Sequence, residues 1–225
     1  MSKNEVKKIT ETKTLDEAVK LLPEVSKSKF VGSVDVDILL NLKDKQKKET
    51  IRGSVNLPNS LGEEKKVIVF CEEAYLKDAL SAGATKAGLE DLIDEVMKGG
   101  VDFDIVIATP SAMPKMAKLG KVLGPKGLMP NPKNGTITTD IAKSVGSFKA
   151  GRLNFKSQID HGVIRMKVAK VNMDSDKIKE NVLALLKSVN TEVKKMTATP
   201  FKQVSIKPTM GSIIKLDIND IMKQM

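Results

Sequence analysis

The sequence predicts an α/β protein of two domains: a discontinuous, half-exposed sheet-plus-helix (α+β) domain with a Rossmann-like parallel α/β domain inserted into it. Three observations predict this. Segments toward both ends alternate apolar and polar residues, as in Val34-Asp35-Val36-Asp37-Ile38 and Val163 to Val168. That is the period of a strand with one buried face. Mid-chain strands are instead largely apolar, as in Val67-Ile68-Val69-Phe70 and, after Asp104, Ile105 to Ala108, which suits a parallel sheet covered on both faces by the helices between its strands. The style changes twice, so residues 1–63 and 153–225 are expected to form one domain and residues 64–152 the other. Two such crossings lie close together in space and are expected to serve as a hinge.

The elements follow in order. Thr14-Leu15-Asp16-Glu17 is a capping box, whose hydroxyl and carboxylate satisfy the free amides that open a helix. Leu15, Ala18, Val19, Leu22 and Val25 form its apolar stripe, with Pro23 as kink or stop. After the strand at Val34–Ile38 comes a charged turn, Asp44 to Lys48, then a strand from Thr50 to Leu57 and a loop over Pro58–Gly62. In the middle region helices are expected at about 72–82, stopped by Gly83, at 89–97, at 111–119 and at 139–148, with a long Gly/Pro loop from Gly120 to Gly135. Leu153–Phe155 reads as a further strand. Asp174 to Val193 carries Ile178, Val182, Leu185, Leu186 and Val189 on one helical face. Strands at Gln203–Ile206 and Ser212–Leu216 close the chain.

Charge points to a polyanionic partner. Thirty-eight Lys and Arg oppose 28 Asp and Glu, a formal charge of +10, and such a field attracts nucleic acid, an acidic membrane surface or acidic proteins. Six Phe, one Tyr and no Trp are too few for a platform of stacked rings, whereas recognition of folded RNA by shape and phosphate needs fewer. Cys71 is the single cysteine, so neither an internal disulfide nor a cysteine-based zinc site is expected. No apolar run approaches the roughly 18 residues of a membrane span. The polar N-terminus lacks a signal-peptide core, and a soluble cytoplasmic protein is expected.

Catalytic templates fail. Gly120 and Gly124 are one residue too close for a nucleotide-binding P-loop, and Gly127 is followed by Leu128 where a magnesium-binding hydroxyl is required. His161 is the sole histidine, without a nucleophile motif beside it. Asp35, Asp37 and Asp104 lack metal-ligand spacing and read as carboxylates on exposed strand faces. No metal, cofactor or catalytic residue is expected. A nucleotide-using enzyme on the α/β insert survives only by analogy of fold.

Two segments invite a binding role. From Lys118 to Gly135 the chain interleaves Gly, Pro and Lys, including Lys121, Lys126 and Lys133. Glycine lets backbone approach a partner, proline stiffens and lysine supplies charge. The second segment, Lys207-Pro208-Thr209-Met210-Gly211, reads as a tight turn between strands. Thr209 offers a hydroxyl and Met210 an adaptable apolar tip, although an ordinary hairpin turn would look the same. Ser28-Lys29-Phe30 has the same ambiguity between core and exposed contact.

Gly120 to Lys133 resembles the signature of the ribosomal protein L-one family, the large-subunit lateral-stalk proteins. Ser28-Lys29-Phe30, Arg52 to Pro58, Asp102-Phe103-Asp104 with Ala108-Thr109-Pro110, Lys149 to Arg152 and Thr209-Met210-Gly211 add to the resemblance in family order. It implies an inserted-domain architecture with a hinge, and a discontinuous domain that binds the stalk region of large-subunit ribosomal RNA. It also implies a mobile stalk that assists release of deacylated transfer RNA from the exit site, and repression of the protein's own operon messenger. It further implies a cytoplasmic or organellar ribosome as the location, without an obligate homo-oligomer. Carried over, Lys29, Phe30, Thr209, Met210 and Gly211 form the ribosomal RNA surface, with Gln203 and Ser205 on the strand leading into the turn. The loop from Lys156 through Asp160 and His161 to Arg165 borders it. That loop departs from the bacterial pattern, because Asp160-His161 replaces an Asp-Lys pair with one apparent extra residue. Apart from what the resemblance carries over, Lys118, Lys121, Lys126 and Lys133 read as a contact loop for transfer RNA or other RNA, against the alternative of a plain surface loop.

Overall fold

The computed structural model describes residues 12–26, 30–42, 50–62, 65–149, 151–158, 161–195, 197 and 199–225. The strands are β1 (Thr12–Lys13), β2 (Ser33–Leu40), β3 (Arg52–Asn56), β4 (Val67–Phe70), β5 (Lys86–Gly88), β6 (Ile105–Ala108), β7 (Arg152–Lys156), β8 (Val163–Lys170), β9 (Phe201–Pro208) and β10 (Ile214–Leu216). The longer helices are α1 (Leu15–Val25), α2 (Leu76–Ser81), α3 (Glu90–Met97), α4 (Gly120–Lys126), α5 (Ile141–Lys149), α6 (Ser175–Val193) and α7 (Ile218–Gln224). Short helical turns fill Glu73–Tyr75, Pro110–Leu119 and Pro132–Asn134. The chain divides into two compact units, Met1–Leu61 with Asn154–Met225, and Gly62–Leu153. The charged turn expected at Asp44–Lys48 lies outside the described residues.

The first unit is built on a five-stranded sheet in the order β1-β10-β9-β2-β8. β2 alternates without exception between half-buried and buried residues, and Val34, Val36 and Ile38 are fully buried. It is paired antiparallel with β8 on one side and β9 on the other. Helix α6 packs on β8 and β3 and against α1, and α1 packs on β9 and β10. These helices bury the apolar side of the sheet and leave the other side half exposed. The β2–β8 register shifts between Val34 and Asp35, where Val168 and Ala169 are consecutive buried residues. The extra residue is absorbed as a bulge. Thr14 caps α1 as its sequence requires, its hydroxyl accepting from the Glu17 amide at 3.4 Å. Pro23 does not stop this helix. It sits in the last turn, and the helix runs to Val25 before the Ser26 amide closes on the Leu22 carbonyl at 3.0 Å.

The second unit holds a parallel sheet, β5-β4-β6. All four residues of β4 are buried, and period two divides them between separate cores. Ile68 and Phe70 join Val106, Leu92, Ile93, Met116, Leu119 and Leu123 on one face. Val67 and Val69 join Ile107, Ala79, Ile141, Val145 and Phe148 on the other. This two-sided burial is why β4 reads as an unbroken apolar run.

Two expectations need correction. The stretch from Gly120 is not one long loop, because Gly120–Lys126 is helical. Buried Leu119 and Leu123 anchor it and outweigh the poor helix propensity of its glycines. It ends in a Schellman motif, with Gly127 at φ +70°, its amide donating to Gly124 and the Leu128 amide to Leu123 at 3.1 Å. Nor does the chain close on strands. Asp217 caps α7, accepting from the Asn219 amide at 2.8 Å, and Ile221 is buried.

A helical Gly124 with a free Cβ position predicts that Gly124→Ala stabilises the protein by up to about 1 kcal/mol. Leu123→Ala should cost about 2–5 kcal/mol. Urea unfolding midpoints check both, and a destabilising Gly124→Ala would count against the helix.

Candidate nucleic-acid interface

The turn after β9 is locked to the start of β2. The Thr209 amide donates to the Ser33 carbonyl at 2.8 Å. The Thr209 hydroxyl accepts from the Ser33 amide at 3.0 Å and lies 3.1 Å from the Ser33 carbonyl, to which it donates. The hydroxyl that sequence offered to a partner is thus engaged within the fold, and it acts by holding the turn. Next to it Met210 adopts φ +63°, the one positive φ outside glycine among the described residues. Its side chain is 79% exposed. The Gly211 amide donates to the Pro208 carbonyl at 3.0 Å. A Cβ at Gly211 would meet the Pro208 ring and stand 2.8 Å from the Val25 carbonyl, so the turn closes against the end of α1 only with glycine. Phe30, three residues before Ser33, is 61% exposed. Lys29 lies outside the described residues.

From this turn a row of side chains runs along the outer face of the sheet. Gln203, Ser205, Lys207 and Thr209 occupy alternate positions of β9 and its extension. Register sets Ser205 opposite Asp37, and Asp37 opposite Arg165 on β8. Asp35 likewise lies between Lys207 and Lys167. Lys207 Nζ approaches Asp37 Oδ2 to 3.0 Å, and Arg165 Nε stands 3.6 Å from Oδ1. Asp35 and Asp37 are therefore half-buried and flanked by cations, not the solvated carboxylates their sequence suggests. Burial pushes the Asp35 carboxyl above its ordinary value, against the pull of Lys207 and Lys167. Ser205 is buried, its hydroxyl donating to the Asp37 carbonyl at 3.4 Å, so it supports the face from below. Lys207, Lys167, Asp35 and Asp37 were not among the expected contacts. Alternation along each strand was visible, but the register that brings these charges together was not.

The 156–165 loop does not border the Met210 turn. The Gly162 carbonyl accepts from the Leu40 amide at 3.0 Å, at the opposite end of β2 from Ser33. Eight residues of strand separate the two ends, roughly 23 Å. Lys156 and His161 are exposed there, and Asp160 lies outside the described residues. Of this segment only Arg165 reaches the charged row.

In the second unit Lys118 and Lys121 are exposed on consecutive helical turns. Lys126 ends α4 and Lys133 lies in the turn Pro132–Asn134. A cavity of about 780 Å³ beside β5 has Glu72, Glu73, Glu90, Asp91 and Glu95 in its wall. Its two lysines are engaged, Lys86 with Glu95 and Lys115 with Glu90. Such a wall repels phosphates and does not suit a nucleotide. Among the described residues no group of three or more His, Cys, Asp or Glu could hold a metal ion, and no helix is long and apolar enough to cross a membrane.

Residues 22–212, which include both the charged row and the Met210 turn, match the model of the Ribosomal protein L1p/L10e family. The chain belongs to the ribosomal protein L-one family. Its curated relatives include proteins called Large ribosomal subunit protein uL1. That of Francisella tularensis subsp. novicida is 43% identical over 213 residues, covering 92% of this chain and 90% of the relative. That of Protochlamydia amoebophila is 41% identical over 209 residues, covering 92% and 88%. The Malacoplasma penetrans relative is 41% identical over 209 residues, and the match spans 92% of this chain but 61% of that longer protein. Members of the L-one family are structural proteins of the large ribosomal subunit and act in translation. The chain is not an enzyme, which removes the nucleotide-using alternative.

Two outcomes test this local geometry. Gly211→Ala should destabilise the turn and lower the melting temperature, because both the Val25 carbonyl and the Pro208 ring would have to move. Asp35 binds its proton more tightly folded than unfolded, so its contribution to stability is present below the ordinary value of 3.8 and is lost as pH rises through its raised folded value. Melting temperatures of wild type and Asp35→Asn, compared from acid to neutrality, should diverge in the wild type's disfavour. Parallel curves would contradict the shift.

Proposed function

We propose that this L-one family member is a structural constituent of the large ribosomal subunit whose discontinuous unit binds the stalk region of large-subunit ribosomal RNA. The observation that carries the reading is the Met210 turn. An exposed apolar tip is presented on a left-handed backbone whose conformation is fixed by Thr209 and Ser33. A tip held this way meets a shallow RNA groove without first losing chain entropy. Phe30, Thr209, Met210 and Gly211 form the centre of the surface, joined by Lys29. Gln203, Ser205 and Arg165 extend it along the sheet, Lys156 and His161 form its far margin, and Asp160 is a further proposed contact. Cations of the row contact phosphates and position the RNA, while the turn supplies shape.

The finer roles are part of the same proposal. The protein forms the mobile lateral stalk and assists release of deacylated transfer RNA from the exit site. Lys118, Lys121, Lys126 and Lys133 meet that RNA. The discontinuous unit also binds the protein's own operon messenger and represses it. The basic charge and the exposed Lys118 and Lys121 support these readings.

Met210→Asp sets a carboxylate against RNA and should abolish specific binding with little change in melting temperature. Undiminished affinity would sink the assignment of this turn. If about four to six phosphates are neutralised, affinity should fall with salt at a log–log slope of roughly −3 to −5. Crosslinking in cells followed by sequencing of the bound RNA should recover large-subunit ribosomal RNA above all.

A further inference from the structure

We propose that Asp37 is a positioning residue for RNA binding: it holds Arg165 of β8 and Lys207 of β9 on the outer face as a preset pair of cations for phosphates of one RNA backbone. The proposal rests on the reading of this face as an RNA surface. It adds a carboxylate where an anion-binding surface would ordinarily exclude one.

The geometry separates the charges by depth. Asp37 is 18% exposed, Lys207 31% and Arg165 59%. The carboxylate thus lies low between the strands while the guanidinium reaches outward. One oxygen holds Lys207 Nζ at 3.0 Å. The other is buried without a hydrogen-bond partner, and Arg165 Nε is near it at 3.6 Å, within ionic attraction but beyond hydrogen-bond reach. Arg165 is therefore held toward the carboxylate by charge rather than by a hydrogen bond. Directly opposite Asp37 on β9 stands Ser205, buried and short, so no long side chain of that strand intervenes. Asp35, on the same strand and face, is flanked by Lys167 and Lys207. Three cations against two carboxylates leave the cluster net positive.

The carboxylate can act in two opposed ways. If it only subtracts charge, its removal strengthens attraction for phosphate. If it sets the cations in place, its removal frees two long side chains that binding must then immobilise. The half-burial of Asp37 and its approach to both cations favour the second.

The test uses the full chain and purified large-subunit ribosomal RNA. Asp37→Asn preserves shape and raises net charge by one, and it should weaken binding several-fold to about tenfold at fixed salt. Tighter or unchanged binding overturns the proposal. In an Arg165→Gln, Lys207→Gln background the same substitution should have no effect, and a persisting loss there would show that Asp37 acts by another route and also overturns it. If Asp37→Asn does not fold, the separate Arg165→Gln and Lys207→Gln losses decide: a pair held by one carboxylate gives non-additive losses, and strict additivity rejects it. Failure of the underlying reading looks different, since Met210→Asp would then bind ribosomal RNA as well as the wild type.

Discussion

The strict alternation of β2 is the constraint on which the first unit depends. Val34, Val36 and Ile38 are sealed beneath α1 and α6, which leaves Ser33, Asp35 and Asp37 on the opposite face. Because β2 is paired on both edges, its register also fixes which residues of β8 and β9 share that outer face. A slip of one residue would bury both carboxylates and expose the four core side chains of β2. The same register brings Ser33 to Thr209, so the geometry of the Met210 turn is set by apolar burial on the far side of the sheet.

The sequence revealed elements wherever periodicity coincided with burial. β2, β4, β6 and the long helix α6 were legible because their apolar residues repeat at the spacing of the face they bury. Thr14 was legible as a cap because capping is local chemistry. What failed was governed by contacts distant in sequence. Gly120–Lys126 carries loop-forming residues yet is helical, since Leu119 and Leu123 fill a core whose other members come from β4, β6 and α3. Helix α7 is too short for a periodic signal. The site divides in the same way. The exposure of Met210 and the need for Gly211 follow from a turn that could be read directly. The pairing of Asp37 with Arg165 and Lys207 depends on two strand registers, which no local pattern encodes. The 156–165 loop and the Met210 turn lie at opposite ends of β2, a separation that no local pattern encodes.

The second unit shows that a chain of net charge +10 need not be basic everywhere. Its cavity beside β5 is walled by carboxylates, whereas Lys118 and Lys121 project from helical turns formed by other residues. Within that wall Lys86 and Lys115 are held by Glu95 and Glu90, and the remaining carboxylates keep it acidic.

The lock between Ser33 and Thr209 joins residues 176 positions apart, and this has a consequence for synthesis on the ribosome. Residues 62–153 are contiguous and can collapse around β4 as they emerge. β2 must wait, with its main-chain N–H and C=O groups unpaired and its apolar face uncovered, until β8 and β9 have been made. Throughout that interval the nascent chain has no finished sheet and no ordered turn, so the face proposed for RNA is assembled late. A chain truncated before β9 would leave one edge of β2 without its partner strand and the Met210 turn unmade.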